Sequence, residues 1–158
     1  MDLVLRELRD DDTGELRRIH STPDVARWWG EPDDEFPWRD DPDCTRLTIE
    51  LDGDVAGLIE FHEELAPRYR YAAIDLFVDP RVRGRGVGPA AIERLLRRLI
   101  ERGHHRFTID PALANAAAIR AYEKVGFRRV GVMRRYERDA DGPDWHDSLL
   151  MELLADEL

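Results

Sequence analysis

The sequence predicts an α/β (α+β) fold, a sheet covered by helices, and three observations carry that expectation. Four strand signals occupy the first half, a helix, a strand, a helix and two more strands follow, and the first helix of that series is apolar on one face and basic on the other. At 158 residues and 42% hydrophobic content the chain can bury a real core as one domain, residues 1–158, with no linker, internal repeat or low-complexity segment expected.

Leu3 and Leu5, with Leu8 beyond them, alternate with polar residues as a first strand. Asp10, Asp11 and Asp12 offer caps and dipole partners to a short helix carrying Leu16 and Ile19. Thr22-Pro23 supplies an N-cap and a first helical position for another short helix ending near Gly30. Residues 45–51 and 55–63 read as strands joined by the hairpin signal Asp52-Gly53-Asp54, and residues 71–78 as the fourth strand. Residues 89–101 form an amphipathic helix with Ile92, Leu95, Leu96, Leu99 and Ile100 on one face and arginines on the other. Residues 106–110 are a fifth strand, 115–125 a helix, 127–136 a sixth strand and 148–154 a seventh.

The stretch IDLFVDPRVRGRGVG (residues 74–88) joins an apolar strand to a helix through an Arg/Gly loop. Main-chain N–H groups of such a loop, with those that open the helix, form a concave donor cluster suited to a phosphate or pyrophosphate. A dinucleotide fingerprint would need a third glycine where Pro89 stands, and a Walker loop would need a Gly-Lys-Ser/Thr tripeptide that the chain lacks.

The formal charge of −10 comes from 34 acidic and 24 basic residues. Between Glu31 and Asp43 lie seven acids and one arginine, with Phe36 and Trp38 among them and Trp28 and Trp29 just before; between Glu137 and Asp147 lie five acids, one arginine and Trp145. Such fields repel nucleic acid and attract polycations, and tryptophan can cover the apolar face of a cationic ligand. Acidic loops also simply keep proteins soluble. No apolar run is long enough for a bilayer span and the start, MDLVLRELRDDD, has no signal-like apolar region, so a cytoplasmic protein without a membrane partner is expected. Cys44 is the only cysteine, which excludes an internal disulfide and a cluster of thiolates; no metal is expected.

Arg81, Gly84 and Gly86 in the arrangement R-x-x-G-x-G/A resemble the acetyl-coenzyme A loop of the GNAT N-acetyltransferase superfamily, and the element order from about residue 3 to 154 is similar to its fold. IDPALANAAAIRAYEKVGF (residues 109–127) and ARWWGEP (residues 26–32) look like segments of the aminoglycoside 6'-N-acetyltransferases. The resemblance implies a mixed, mostly antiparallel sheet of about seven strands, splayed at strands 4 and 5, with acetyl-CoA as cofactor. It implies acetylation of the 6'-amine of an aminoglycoside by direct transfer in a ternary complex, hence antibiotic resistance.

Chemistry of this kind needs a base for the amine, a donor for the oxyanion and an acid for the thiolate. Asp75 interrupts the apolar fourth strand, facing with Ala73 and Phe77, and by resemblance is the base; Glu60 and His62 on the neighbouring strand are alternatives. Tyr122 lies nearly two helical turns from the cap Asn115, on the same face; it can be a packed core tyrosine, and by resemblance it protonates the coenzyme sulfur, with Asn115 touching the pantetheine arm. By analogy the oxyanion rests on a main-chain N–H near Val78, next to Phe77. Arg81, Val82, Arg83, Gly84, Arg85, Gly86, Val87 and Gly88 are the expected pyrophosphate donors, whereas Pro89 has no N–H where many relatives have one. The resemblance assigns the polycationic acceptor to Trp28, Trp29, Glu31, Asp75, Asp110, Asp144 and Asp147. Acyl transfer to a siderophore precursor, acetylation of peptides or polyamines, and a non-catalytic coenzyme-binding domain remain alternatives, as do monomer and homodimer.

Overall fold

The computed structural model describes residues 1–158. Its strands are β1 (Leu3–Glu7), β2 (Cys44–Leu51), β3 (Asp54–Glu64), β4 (Tyr71–Val78), β5 (Arg106–Ile109), β6 (Arg128–Arg138) and β7 (Trp145–Leu154). Its helices are α1 (Thr13–His20), α2 (Pro23–Trp29), α3 (Val87–Glu101) and α4 (Ala116–Val125). The strands form one sheet in the order β1-β2-β3-β4-β5-β7-β6, antiparallel throughout except for the parallel pair β4–β5. No helix is long and apolar enough to cross a membrane.

Strand alternation divides the core into two layers. On one face Ile74 and Leu76 of β4 join Leu3, Ile49 and Ile59 against Ile92, Leu95, Leu96 and Leu99 of α3. Each such side chain, fully buried, contributes about 1.5–3 kcal/mol of gross stabilisation. On the other face Leu58 and Phe77 pack against Leu16, Ile19 and Val25 of α1 and α2. Asp75 shares this second face, because Glu60 pairs with Asp75 and Leu58 with Phe77 across β3 and β4. It lies outside this cluster and opens to a cavity instead, which accommodates a carboxylate in mid-strand.

Several element ends differ from the sequence pattern. β1 stops at Glu7, leaving Leu8 outside. α3 begins at Val87, two residues before Pro89, because the left-handed turn at Gly86 (φ 74°) already redirects the chain. Thr22 has N-cap backbone geometry, but its hydroxyl donates to the Ile19 carbonyl rather than capping α2. Asp10 to Asp12 form a 3-10 turn, and Asp12 is buried as the acceptor of Arg6, Thr48 and the Arg9 N–H. β7 starts at Trp145, since β6 extends the ladder to Arg138↔Trp145 through residues that are charged and exposed. The expected hairpin is present with a loop of two residues rather than three: Asp52 and Gly53 have φ of 51° and 90°, and Asp54 already pairs with Leu51 as the first residue of β3.

Candidate active site

β4 and β5 pair only at Ala72↔Phe107 and Ala73↔Thr108 and then part. The segment after β5 is held away from β4 by β7: Leu149 N–H donates to the Pro111 carbonyl and Leu113 N–H to the Asp147 carbonyl. A cavity of about 810 Å³ fills the gap. Its floor is Asp75 to Val78, its walls Val82 to Gly84, Gly86 to Pro89, Asn115 with α4 as far as Tyr122, and Trp28 and Trp29 of α2, and Asp110, Glu137 and Arg138 complete the lining.

The loop is shaped for an anion. Gly84 and Gly86 have φ of 77° and 74°, a region that costs other L-residues about 1–2 kcal/mol. None of the main-chain N–H groups from Gly84 to Gly88 meets a protein acceptor. Three of the expected donors are already engaged: the Arg81 N–H donates to Asp79 Oδ1, that of Val82 to the Asp79 carbonyl, and that of Arg83 to the Pro80 carbonyl. The donor cluster is therefore Gly84, Arg85, Gly86, Val87 and Gly88. Arg81 is spent on Asp79 and Glu15, and Arg85 points to Asp52; neither lines the cavity. Asp79, though burial opposes its charge, is held below the usual carboxylate range by Arg81 and Arg18.

Val78 offers a further donor. The Asp79 N–H bonds the Ala56 carbonyl of β3, and alternation turns the Val78 N–H the opposite way, into the splay. The main chain crowds β3 closely here, for a Cβ at Gly57 would fall on the Phe77 carbonyl.

Asp75 is reachable by solvent from the cleft, yet protein surrounds it on its other sides. Loss of hydration, then the charges of Glu60 and Asp110, raise its pKa well above the ordinary carboxylate value. Its Oδ1 accepts the Leu76 N–H at 2.9 Å. Asp110 and Glu137 are raised too, each chiefly by desolvation; the Tyr136 hydroxyl beside Asp110 favours its charged form. Burial, followed by the charges of Asp75 and Asp110, pushes the Tyr122 phenol up, so it stays protonated and able to donate. Asn115 caps α4, its Oδ1 accepting from the Ala118 N–H at 3.2 Å, which leaves its amide N–H groups for the cavity.

Trp28 carries the Arg27 guanidinium over its ring at 4.5 Å, and Trp29 packs edge-on against Phe77 at 5.1 Å. The Phe77 ring is buried in the smaller core cluster, so that residue is as much scaffold as lining. Three acids expected at the acceptor are outside the cavity. Glu31 lies exposed beyond the turn at Gly30, Asp144 accepts the Asp139 N–H at the hairpin tip, and Asp147 Oδ1 accepts the Arg135 N–H at 2.8 Å. The acidic loop before β2 is partly internal structure, since Arg17 binds the carbonyls of Asp33 and Phe36 and Trp38 donates to Thr13. Glu137 and Arg138, absent from the sequence reading of the site, arrive because β6 is longer than its apolar pattern; the alanines of residues 112–121 form a low wall whose only sequence signal was helical.

A family model described as acetyltransferase (GNAT) family matches residues 5–127. The L-amino acid N-acetyltransferase AaaT of Escherichia coli is 30% identical over 148 residues, spanning 85% of this chain and 88% of that protein. Crystal structures share the fold: spermidine N-acetyltransferase from Vibrio cholerae in complex with CoA and spermine has a TM-score of 0.79 at 20% identity, over 98% of this chain and 96% of that one. The aminoglycoside acetyltransferase AAC(6')-Ib in complex with coenzyme A reaches 0.80 at 19% identity, over 99% and 96%. With a parallel pair that splays beside a loop of unengaged main-chain donors, and with this sequence kinship, the chain belongs to the GNAT family of N-acetyltransferases, whose cofactor is acetyl-CoA.

Proposed function

We propose that this protein acetylates a primary amine of a small polycationic acceptor, with the 6'-amine of an aminoglycoside as the leading candidate. The observation that carries this reading is the gathering of Asp75, Asp110 and Glu137 in a single cavity, where burial raises the pKa of all three and the Asp110 charge adds repulsion at Asp75 and at Glu137. A polycation relieves that repulsion on binding. Trp28 and Trp29 offer apolar surface beside the carboxylates.

The residues present fit the cofactor. Five unengaged N–H groups from Gly84 to Gly88 would hold the pyrophosphate, the Val78 main chain and the Asn115 amide the pantetheine arm. Acetyl-CoA supplies an acetyl thioester as electrophile and a thiol as leaving group. Asp75 Oδ2, free of the Leu76 bond, takes a proton from the acceptor ammonium; its raised pKa brings proton transfer nearer to balance. The Val78 N–H donates to the oxygen on which charge builds. The Tyr122 hydroxyl donates toward the sulfur.

A second reading is acetylation of an α-amino acid. Arg138 stands beside Glu137 at the cavity end and can take a carboxylate, and the relative AaaT acts on L-amino acids by name. Release of free thiol from acetyl-CoA distinguishes these. Turnover with neomycin, and little with paromomycin, which has a hydroxyl in place of the 6'-amine, is the expected result. Equal turnover with both moves the reaction off the 6' position; turnover only with L-amino acids replaces the polycation reading, and turnover only with spermidine replaces the aminoglycoside.

A further inference from the structure

We propose that Asp41, Cys44 and His62 form a binding site for one divalent cation of the zinc class, on the same sheet face as Asp75. The chain's one cysteine stands directly across the β2–β3 ladder from His62, so both side chains leave the same face. The Asp41 carboxylate completes the set, with the Cys44 Sγ, a His62 ring nitrogen and an Asp41 oxygen all within 4.8 Å of one another. Thiol, imidazole and carboxylate together suit a borderline cation better than calcium or magnesium, which take oxygen ligands.

The local structure prepares these atoms. Asp41 Oδ1 accepts the Asp43 N–H at 3.0 Å and the Asp41 carbonyl accepts the Cys44 N–H at 3.1 Å, which fixes the turn and leaves Oδ2 facing His62 Nε2 at 3.9 Å. Tetrahedral zinc, with ligands at about 2.0–2.3 Å, needs donor atoms about 3.3–3.6 Å apart. Closing a separation of 4.8 Å into that range takes about 1.2–1.5 Å, shared between the exposed His62 and the half-buried Asp41 and Cys44. Glu60 Oε2 lies 3.5 Å from Cys44 Sγ and accepts from Arg46, so it adds negative field rather than a ligand. On binding, the Cys44 S–H gives its proton to water and the freed sulfur pair forms the metal bond; a solvent molecule fills the fourth position. By strand spacing and rise the Cys44 backbone is about 12 Å from that of Asp75 and the His62 backbone about 8 Å, so the site lies beside the acetyl-transfer centre rather than within it.

Titration of the purified, tag-free chain with Co2+ and Zn2+ tests this. The expected result is one cobalt per chain with a thiolate-to-cobalt charge-transfer absorption in the near ultraviolet, displaced by zinc. Cys44→Ser should abolish that absorption and weaken zinc binding at least tenfold, and His62→Asn, at an exposed position, should weaken it similarly while leaving the fold intact. Absence of the absorption, or unchanged affinity in either variant, overturns the site. So does loss of binding in His146→Ala instead, since His146 lies beside Asp139 and Glu137 on the far hairpin.

Discussion

Replacing Asp75 with asparagine removes the base and almost nothing else. The Asn side-chain oxygen can keep the 2.9 Å bond from the Leu76 N–H, and Asp75 is not among the Gly84–Gly88 donors, so acetyl-CoA binding should be unchanged. Without the base the enzyme must wait for acceptor that is already neutral. For an alkyl amine with a lysine-like pKa of about 10.4, about one molecule in 2,500 is neutral at pH 7 and about one in 25 at pH 9. The loss in kcat/KM should therefore approach about 10³ at pH 7 and shrink about tenfold per pH unit as pH rises, within the range general bases contribute. The assay is thiol release across pH 6.5–9 for both proteins, a window of about that width sufficing to resolve the slope. A wild-type to variant ratio that is small, or constant with pH, refutes Asp75 as the base. Stability supplies an independent check. A carboxyl whose folded pKa is raised binds more protons in the native state than in the unfolded one, so its ionisation destabilises the fold as pH climbs from the ordinary carboxylate value through the raised one. Asp75→Asn should then melt higher than wild type at neutral pH, with the gap closing near pH ~4.

Tyr122→Phe removes one donor to the departing sulfur, worth about 1.5–3 kcal/mol for a charged partner, so kcat should fall about tenfold to hundredfold with the acetyl-CoA KM little changed. Gly86→Ala, at φ 74°, should raise the acetyl-CoA dissociation constant about tenfold in a calorimetric titration, because alanine disfavours the left-handed turn that aims the loop donors. Asp12→Asn breaks the buried pair with Arg6, which keeps Glu50 at 2.6 Å, and should destabilise the fold by about 1.5–3 kcal/mol in urea unfolding. In the wild type the Asp12 pKa is lowered to about 2, chiefly by the hydrogen bonds from Arg6, so its contribution is present above the ordinary carboxylate value and is lost as pH falls from ~4 toward about 2. Acid unfolding of Asp12→Asn should be shallower over that interval.

Local pattern determined much of this protein. Alternating leucines, the Asp52-Gly53 turn, the amphipathic run of α3 and the Asn115 cap act over a few residues, and each produced the element its sequence called for. The loop at Gly84 and Gly86 was legible for the same reason, since backbone conformation there depends on the missing Cβ itself. What the sequence could not carry is pairing between distant segments. Whether Asp79 stays charged depends partly on Arg18, 61 positions away; whether Asp147 reaches an acceptor depends on a bulged hairpin that claims it for Arg135. The length of β6, and so the arrival of Glu137 in the cleft, is set by its ladder with β7 rather than by apolar alternation. Cys44 and His62 stand 18 positions apart in the chain, and only antiparallel register makes them neighbours. Periodicity specifies which face a residue takes; the tertiary ladder decides what it meets there.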